Sequence, residues 1–420
     1  MPSDDALTVT PPAGAEATVE EPRACFVQPA PQVTLHIIEE QGVLFDAARQ
    51  CAYAINATGT FIWCCLESGL PPADIVGRLE QTFAITRASA SDYVDTALRN
   101  WRDLHLIAAS GRPASETPSR PRRARDAAIW QPGSGPAAPH DPARRDYLLL
   151  DAGFRIRARA PLLQAEIDLL LSPLATDRPE RDAIRLDLVE DECGFSVIRE
   201  GRPHATCAEL DQAVPLIKTC LIELALKRSG DFGAVHAAAV SRNGRCILIA
   251  GASGAGKSTL TAALVAAGFE LMADDTTVLT RDTLDARPVP FAICVKEGAW
   301  GLLKSRFPAI DGRPVHHRLD GKKVRYLLPA AGHAWARPAS RRPVDTLIFL
   351  NRVPEAKSSL RAIARADALS RLSNEFCPLG DGLSAEKLDQ LIGWMTRIDC
   401  AELKYSPLDE GVEQIAKLCT

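Results

Sequence analysis

Residues 246–259 read CILIAGASGAGKST, and no other stretch limits so tightly what the chain can fold into. Cys246 to Ala250 is a short apolar run that reads as a buried strand. Gly251-Ala252-Ser253-Gly254-Ala255-Gly256-Lys257-Ser258-Thr259 fits G-x-x-x-x-G-K-[ST], and the LTAALVAAGF pattern behind it is helical. Strand, loop and helix in that order make a phosphate-binding loop. The glycines let the backbone curl so that successive N–H groups face a phosphate chain, and the following helix adds its positive end. Lys257 is expected to reach the β- and γ-phosphates, and the Ser258 hydroxyl to ligand Mg²⁺. A Gly-rich strand-to-helix turn with no ligand would not require the Lys-Ser pair. The nine residues Gly251 to Thr259 are therefore the expected nucleotide-binding set, with ATP and Mg²⁺ as cofactors. What is done with the nucleotide is not written in the loop.

At 420 residues the chain is long enough for two or three domains. A formal net charge of -4 argues against a general affinity for nucleic acid or membrane. The twelve cysteines are scattered, only Cys64 and Cys65 are adjacent, and no secretory segment accompanies them, so reduced thiols are expected. The N-terminus lacks the apolar core of a signal peptide, and no later stretch reaches the length of a spanning helix; the expected location is cytoplasmic. Residues 1–31, rich in Pro, Ala and acidic side chains, are expected to be disordered.

From Gln32 the pattern becomes regular. VTLHIIEE, VLFD and CAYAI read as three strands of a meander; ATGTFIWCCLESG, PADIVGRLEQTF and SASDYVDTALRNWRDLHLI read as three helices, the last with Val94, Leu98, Trp101 and Leu104 on one stripe. This order, with N-A-T-G-T-F-I-W after the third strand and a Pro-initiated helix carrying D-I-V, resembles the PqqD family over residues 32–108. The resemblance implies a small α+β, winged-helix-like domain that binds the leader segment of a ribosomally made precursor peptide and presents it to modifying enzymes. The leader would join as an added strand beside the meander and against the first helix, with Cys51, Tyr53 and Ile55 on the strand and Thr58, Ile62 and Cys65 on the helix lining the groove. As apolar residues at helical spacing, Ile62, Cys65 and Trp101 equally suit a plain core.

Residues 109–145 are rich in Pro and Arg without apolar periodicity, and read as a basic linker. Strands and a long helix lead from Tyr147 to the phosphate loop. His236 lies in VHAAAV, which the turn Ser241–Gly244 should fold back as a hairpin beside the loop strand. GFELMA ends in Asp274-Asp275, paired carboxylates suited to holding Mg²⁺ and accepting a proton from an attacking hydroxyl. Arg287 and Lys296-Glu297 follow, a cation and a carboxylate within reach of the site.

The His in VHAAAV, the loop GASGAGKST and the A-D-D after it resemble the HPr kinase/phosphorylase family, and more closely the lasso-peptide kinases related to it. That resemblance runs over residues 146–420 and implies an α/β phosphate-loop kinase domain. By it Asp274 is the base toward a serine hydroxyl, His236 and Lys257 complete the catalytic set, and Ser258, Asp275 and Glu297 hold the metal. A catalytic Arg would fall at Arg325. The family's long signature after the acidic pair is replaced here by PFAICVKEGAWGLL, which puts HPr itself in doubt as acceptor. HPr kinases assemble as hexamers, so the resemblance permits a homo-oligomer. The combined expectation is an ATP-dependent Ser/Thr kinase acting on a precursor peptide. A non-catalytic or ATP-gated peptide scaffold, and a kinase with a small-molecule acceptor, are the alternatives.

Overall fold

In a computed structural model, residues 27–109, 145–177, 182–191, 194–329, 335–338, 340–380 and 382–420 are described. The apolar run ahead of the loop forms the strand Arg245–Ala250, third in a six-stranded sheet ordered Glu270–Ala273, Ala238–Arg242, Arg245–Ala250, Thr346–Arg352, Asp399–Tyr405 and Ser359–Ala362. It pairs antiparallel with Ala238–Arg242 and parallel with Thr346–Arg352. Its side chains alternate between two cores. Ile247 and Ile249 pack with Leu260, Leu264, Leu403 and Ile415, while Cys246, Leu248 and Ala250 face the largest core of the molecule. Burial on both faces is why the run is continuously apolar rather than alternating.

A five-stranded sheet precedes this one in the chain, ordered Arg202–Cys207, Gly194–Arg199, Ile184–Asp191, Ala152–Ala158 and Arg145–Leu149. The helix Leu210–Arg228 follows it, opened by a capping box between Glu209 and Gln212. A further sheet joins Ala286–Arg287, Thr277–Leu279, Gly233–Val235 and Phe376–Pro378. The expected VHAAAV strand is broken. Gly233–Val235 belongs to this four-stranded sheet and Ala238–Arg242 to the six-stranded one, and the chain turns between them at His236, where the Ala237 N–H donates to Val235 O at 2.8 Å.

Of the described residues, those within 1–31 and 58–118 form one compact unit, and those within 32–57 and 119–420 the other. The first holds the helices Ala57–Glu67, Pro72–Phe83 and Arg87–Asp103. Pro72 sits in the first turn of its helix, where a missing N–H costs nothing, and Thr86 caps the next by accepting from Ser89 N. Trp63 and Trp101 meet edge to face at 5.1 Å among Ile62, Leu66, Ile75, Leu79, Val94 and Leu98, all buried. The expected stripe runs one residue too far. The helix stops at Asp103, Leu104 is exposed, and the chain turns through His105 at φ 56° so that Leu106 enters the core instead.

In the second unit, the strands Val33–Ile38, Gln41–Asp46 and Cys51–Ile55 form the expected meander. Its Ile38, Val43, Phe45 and Ala52 share one apolar core with Leu369, Leu383 and Leu388 from the C-terminal part of the chain. Gln50 fastens the edge of this contact, accepting from Leu383 N at 2.5 Å and donating to Leu383 O at 3.2 Å. Beyond the linker expected to join the two halves, packing joins the meander to the C-terminal part of the chain. Apart from Ala109 and Arg145 the linker lies outside the described residues, as do residues 1–26. No helix of the described residues is long and apolar enough to cross a membrane.

Candidate active site

The loop between Ala250 and the helix Lys257–Ala266 takes the curled path its glycines allow. Gly256 shows why one of them is required: its φ is 97°, and a Cβ there would stand 2.7 Å from the Tyr405 hydroxyl. Tyr405 Oη in turn donates to Ala255 O at 3.4 Å. Lys257 is buried and donates to Gly251 O at 2.5 Å. Its burial pulls its pKa down, against the upward pull of Glu375 and Asp275.

Ala252, Ser253, Gly254, Gly256, Lys257, Ser258 and Thr259 line a cavity of about 300 Å³. Facing them are His236 and Asp275, together with the cations Lys218, Lys296, Arg318 and Arg352. Counting Lys257, five cations against a single lining carboxylate make a strongly electropositive chamber, suited to a polyphosphate. Lys218 comes from the middle of the helix Leu210–Arg228, buried beneath the rings of Phe291 and Tyr326 at 5.5 and 6.0 Å.

The acidic pair splits into two environments. Asp275 Oδ1 lies 3.0 Å from His236 Nε2. Partial burial raises its pKa, but the His236 bond and the charges of Lys218, His236 and Arg318 outweigh that and hold the carboxyl well below its usual range. Asp274 is 2% exposed and lies beside the cavity, in a small adjoining pocket that shares Lys218 and Asp275 with it. Its Oδ2 accepts from the Cys294 N–H at 2.8 Å. Burial pushes its pKa up to about 6, opposed by Lys218 and by weaker help from the Cys294 amide and the Ser258 hydroxyl. Its other oxygen, Oδ1, is buried without a hydrogen-bond partner. A buried carboxyl with one free oxygen is placed to take a proton.

Ser258 and Asp275 are oxygen donors on the same cavity wall, beside Asp274. Among the described residues no group of three or more His, Cys, Asp or Glu side chains could hold a metal alone. That set suits Mg²⁺, which takes one or two carboxylates and fills its remaining positions with water and phosphate oxygens. Glu297 is not brought to them: its side chain is exposed and 3.9 Å from Lys323. Arg325 does not line the cavity either. Its guanidinium lies 4.0 Å over the Trp300 ring and 3.4 Å from Asp311. Arg287 is a buried structural cation, gripped by Asp151 at 2.7 and 2.8 Å and by Asp231 at 2.9 Å. Of the residues named for peptide binding, Cys51, Tyr53, Ile55 and Thr58 are partly exposed, whereas Ile62 and Cys65 are buried. Lys218, Arg318, Arg352 and Glu375 were missed in the sequence, where nothing local marks them.

No curated protein matches the chain. Among solved structures, TbiB1 in complex with the TbiA(beta) leader peptide is 22% identical over 21% of this chain and 99% of that one, with a TM-score of 0.19. Lasso peptide synthetase B1 complexed with the leader peptide is 18% identical over 20% and 98%, with a TM-score of 0.19. The Hpr(Ser) kinase/phosphatase from Coxiella burnetii is 14% identical over 44% and 96%, with a TM-score of 0.21. Residues 41–107 match the family described as Coenzyme PQQ synthesis protein D (PqqD). That stretch takes in two strands of the meander and the three helices after it, and the chain carries a PqqD domain there.

Proposed function

We propose that the chain is an ATP-dependent kinase that grips a ribosomally made precursor peptide through its PqqD domain and phosphorylates a Ser or Thr hydroxyl on it. The observation that carries this reading is the pairing of a five-cation phosphate chamber with Asp274, a buried carboxyl whose Oδ1 has no partner. A chamber that only held nucleotide would have no use for a second, proton-accepting carboxylate beside the first.

In this reading the loop amides and Lys257 cradle the β- and γ-phosphates of ATP, and Lys296, Arg318 and Arg352 offset the remaining charge. Mg²⁺, held by Ser258 and Asp275, would neutralise charge that develops on the transferring group. Asp274 accepts the proton of the acceptor hydroxyl on Oδ1, while the Cys294 amide holds Oδ2 still. The oxygen so activated bonds to the γ-phosphorus as the bond to the β-bridging oxygen breaks, leaving ADP. Lys218 keeps Asp274 ionised at neutral pH against its burial. A peptide held by another part of the chain meets this site at an effective concentration on the order of millimolar, so the chamber needs little affinity of its own for it.

The test is Asp274→Asn. ATP binding should survive and transfer should fall about a hundredfold or more. A variant that transfers at the wild-type rate removes Asp274 from the role of base. Nucleotide binding without transfer in the wild type would favour an ATP-gated scaffold.

A further inference from the structure

Cys51–Ile55 is the last strand of the meander, and a last strand presents unpaired N–H and C=O groups. Here those groups are answered by side chains. The Ala52 C=O accepts from Ser370 Oγ at 2.9 Å, and the Ala52 N–H donates to Ser373 Oγ at 3.3 Å; Ser373 Oγ itself donates to Ser370 O at 2.8 Å. Both serines stand on the helix Arg365–Glu375, whose first residue also holds Glu39 of the meander. The helix thus occupies, with two hydroxyls, the line along which an added strand would place its own backbone.

The same helix ends in the active site. Glu375 O accepts from the His236 N–H at 2.7 Å, and Glu375 Oε2 lies 3.2 Å from His236 Nδ1. Beyond it Phe376–Pro378 pairs with Gly233–Val235, the strand that delivers His236. His236 Nε2 then meets Asp275 Oδ1 at 3.0 Å. An imidazole with a carboxylate at each nitrogen is fixed in place, and it keeps Asp275 occupied. From Ser370 to Glu375 is about 8 Å of helix, so one rigid element spans the strand edge and the site.

We propose that this helix is a latch: a precursor-peptide segment adding as a strand to Cys51–Ile55 displaces Ser370 and Ser373, draws Glu375 away from His236, and frees Asp275 for the active site. The proposal rests on the peptide reading above and adds to it that peptide docking switches the site on. An extended segment is the occupant that suits the edge, because its C=O and N–H replace the two hydroxyls at Ala52 one for one. That exchange is close to balanced, and side-chain contacts of the correct peptide tip it.

The experiment is hydrogen–deuterium exchange on the full chain, wild type beside Ser370→Ala/Ser373→Ala, first alone and then with synthetic peptides translated from the short reading frames flanking the gene. Without peptide, the double variant should exchange faster both at residues 51–55 and at residues 233–237. Faster exchange at 51–55 only overturns the relay. With peptide, the wild type should gain protection at 51–55 and lose it at 365–378, and the double variant should bind about tenfold tighter, having no latch bonds to break. Equal affinities, or protection at both segments, overturn the latch. If the peptides bind neither protein while both segments still loosen in the double variant, the peptide reading fails and the mechanical link between edge and site stands. Glu375→Gln, which weakens a contact that docking must break, should tighten peptide binding and raise peptide-free ATP turnover; unchanged turnover removes Glu375 as the positioning residue of His236.

Discussion

The phosphate loop and the capped meander edge are both places where backbone polar groups await a partner, and they are built in opposite ways. The loop brings seven residues between Ala252 and Thr259 to the wall of a cavity lined with cations. The edge is closed by residues more than 300 positions away, through two serine hydroxyls. A contiguous site can be written as a motif, since spacing alone fixes its geometry; a site closed by a remote helix leaves no local trace.

Four outcomes would sharpen or break that contrast. The largest belongs to the loop: Lys257→Met should cut phosphate transfer about a thousandfold in a steady-state assay while leaving peptide affinity unchanged. A matched loss of peptide binding would mean that the two regions are one.

Next comes stability. Burial raises Asp274 from 3.8 to about 6, so the native state holds this proton more tightly than the unfolded chain does. Its contribution is fully favourable below about pH 4, is lost as pH rises through about 6, and stands as a penalty of about 3 kcal/mol at neutral pH. Asp274→Asn should therefore raise Tm at pH 7.5 and change it little at pH 4, even as transfer is lost. A lowered Tm at pH 7.5 would mean that the carboxylate is better compensated than its free Oδ1 implies.

Lys218→Met should slow transfer about tenfold and move the acidic limb of the pH–rate profile upward, because Lys218 is the chief charge holding Asp274 down. An unmoved limb would separate Lys218 from the acid pair. The smallest effect belongs to the docked meander. Gln50→Ala strips the Leu383 N–H and C=O of their side-chain partner and should cost about 1–2 kcal/mol by denaturant unfolding, with ATP affinity unchanged.

What could be read in the sequence follows the same division. The strand, loop and helix at 245–266 appear where the apolar run and the glycines put them, and Asp274-Asp275 falls at the end of Glu270–Ala273, the next strand in sequence, two places from the loop strand in the sheet. Cys51–Ile55 and the three helices after it were likewise local patterns. His236 lines the cavity, but not as a strand residue: the strand expected to carry it breaks there, and its ring meets Asp275 from the turn. Lys218 hid within an apolar helix, where a lone lysine reads as a solvated face. Glu375 hid at the end of a helix remote from any motif. Glu297 was carried by resemblance into a segment whose sequence departs from the family, Arg325 into the stretch after it, and neither lines the cavity.

The central claim is that phosphate leaves ATP for a peptide hydroxyl in the chamber between Lys257 and Asp274. Intact-mass spectrometry of the flanking-frame peptides after incubation with MgATP and the full chain tests it most directly, beside Lys257→Met. The account predicts a gain of one phosphate per peptide that fragmentation places on a Ser or Thr side chain and that disappears in the variant. An unchanged mass under conditions where both ATP and peptide are bound would contradict it.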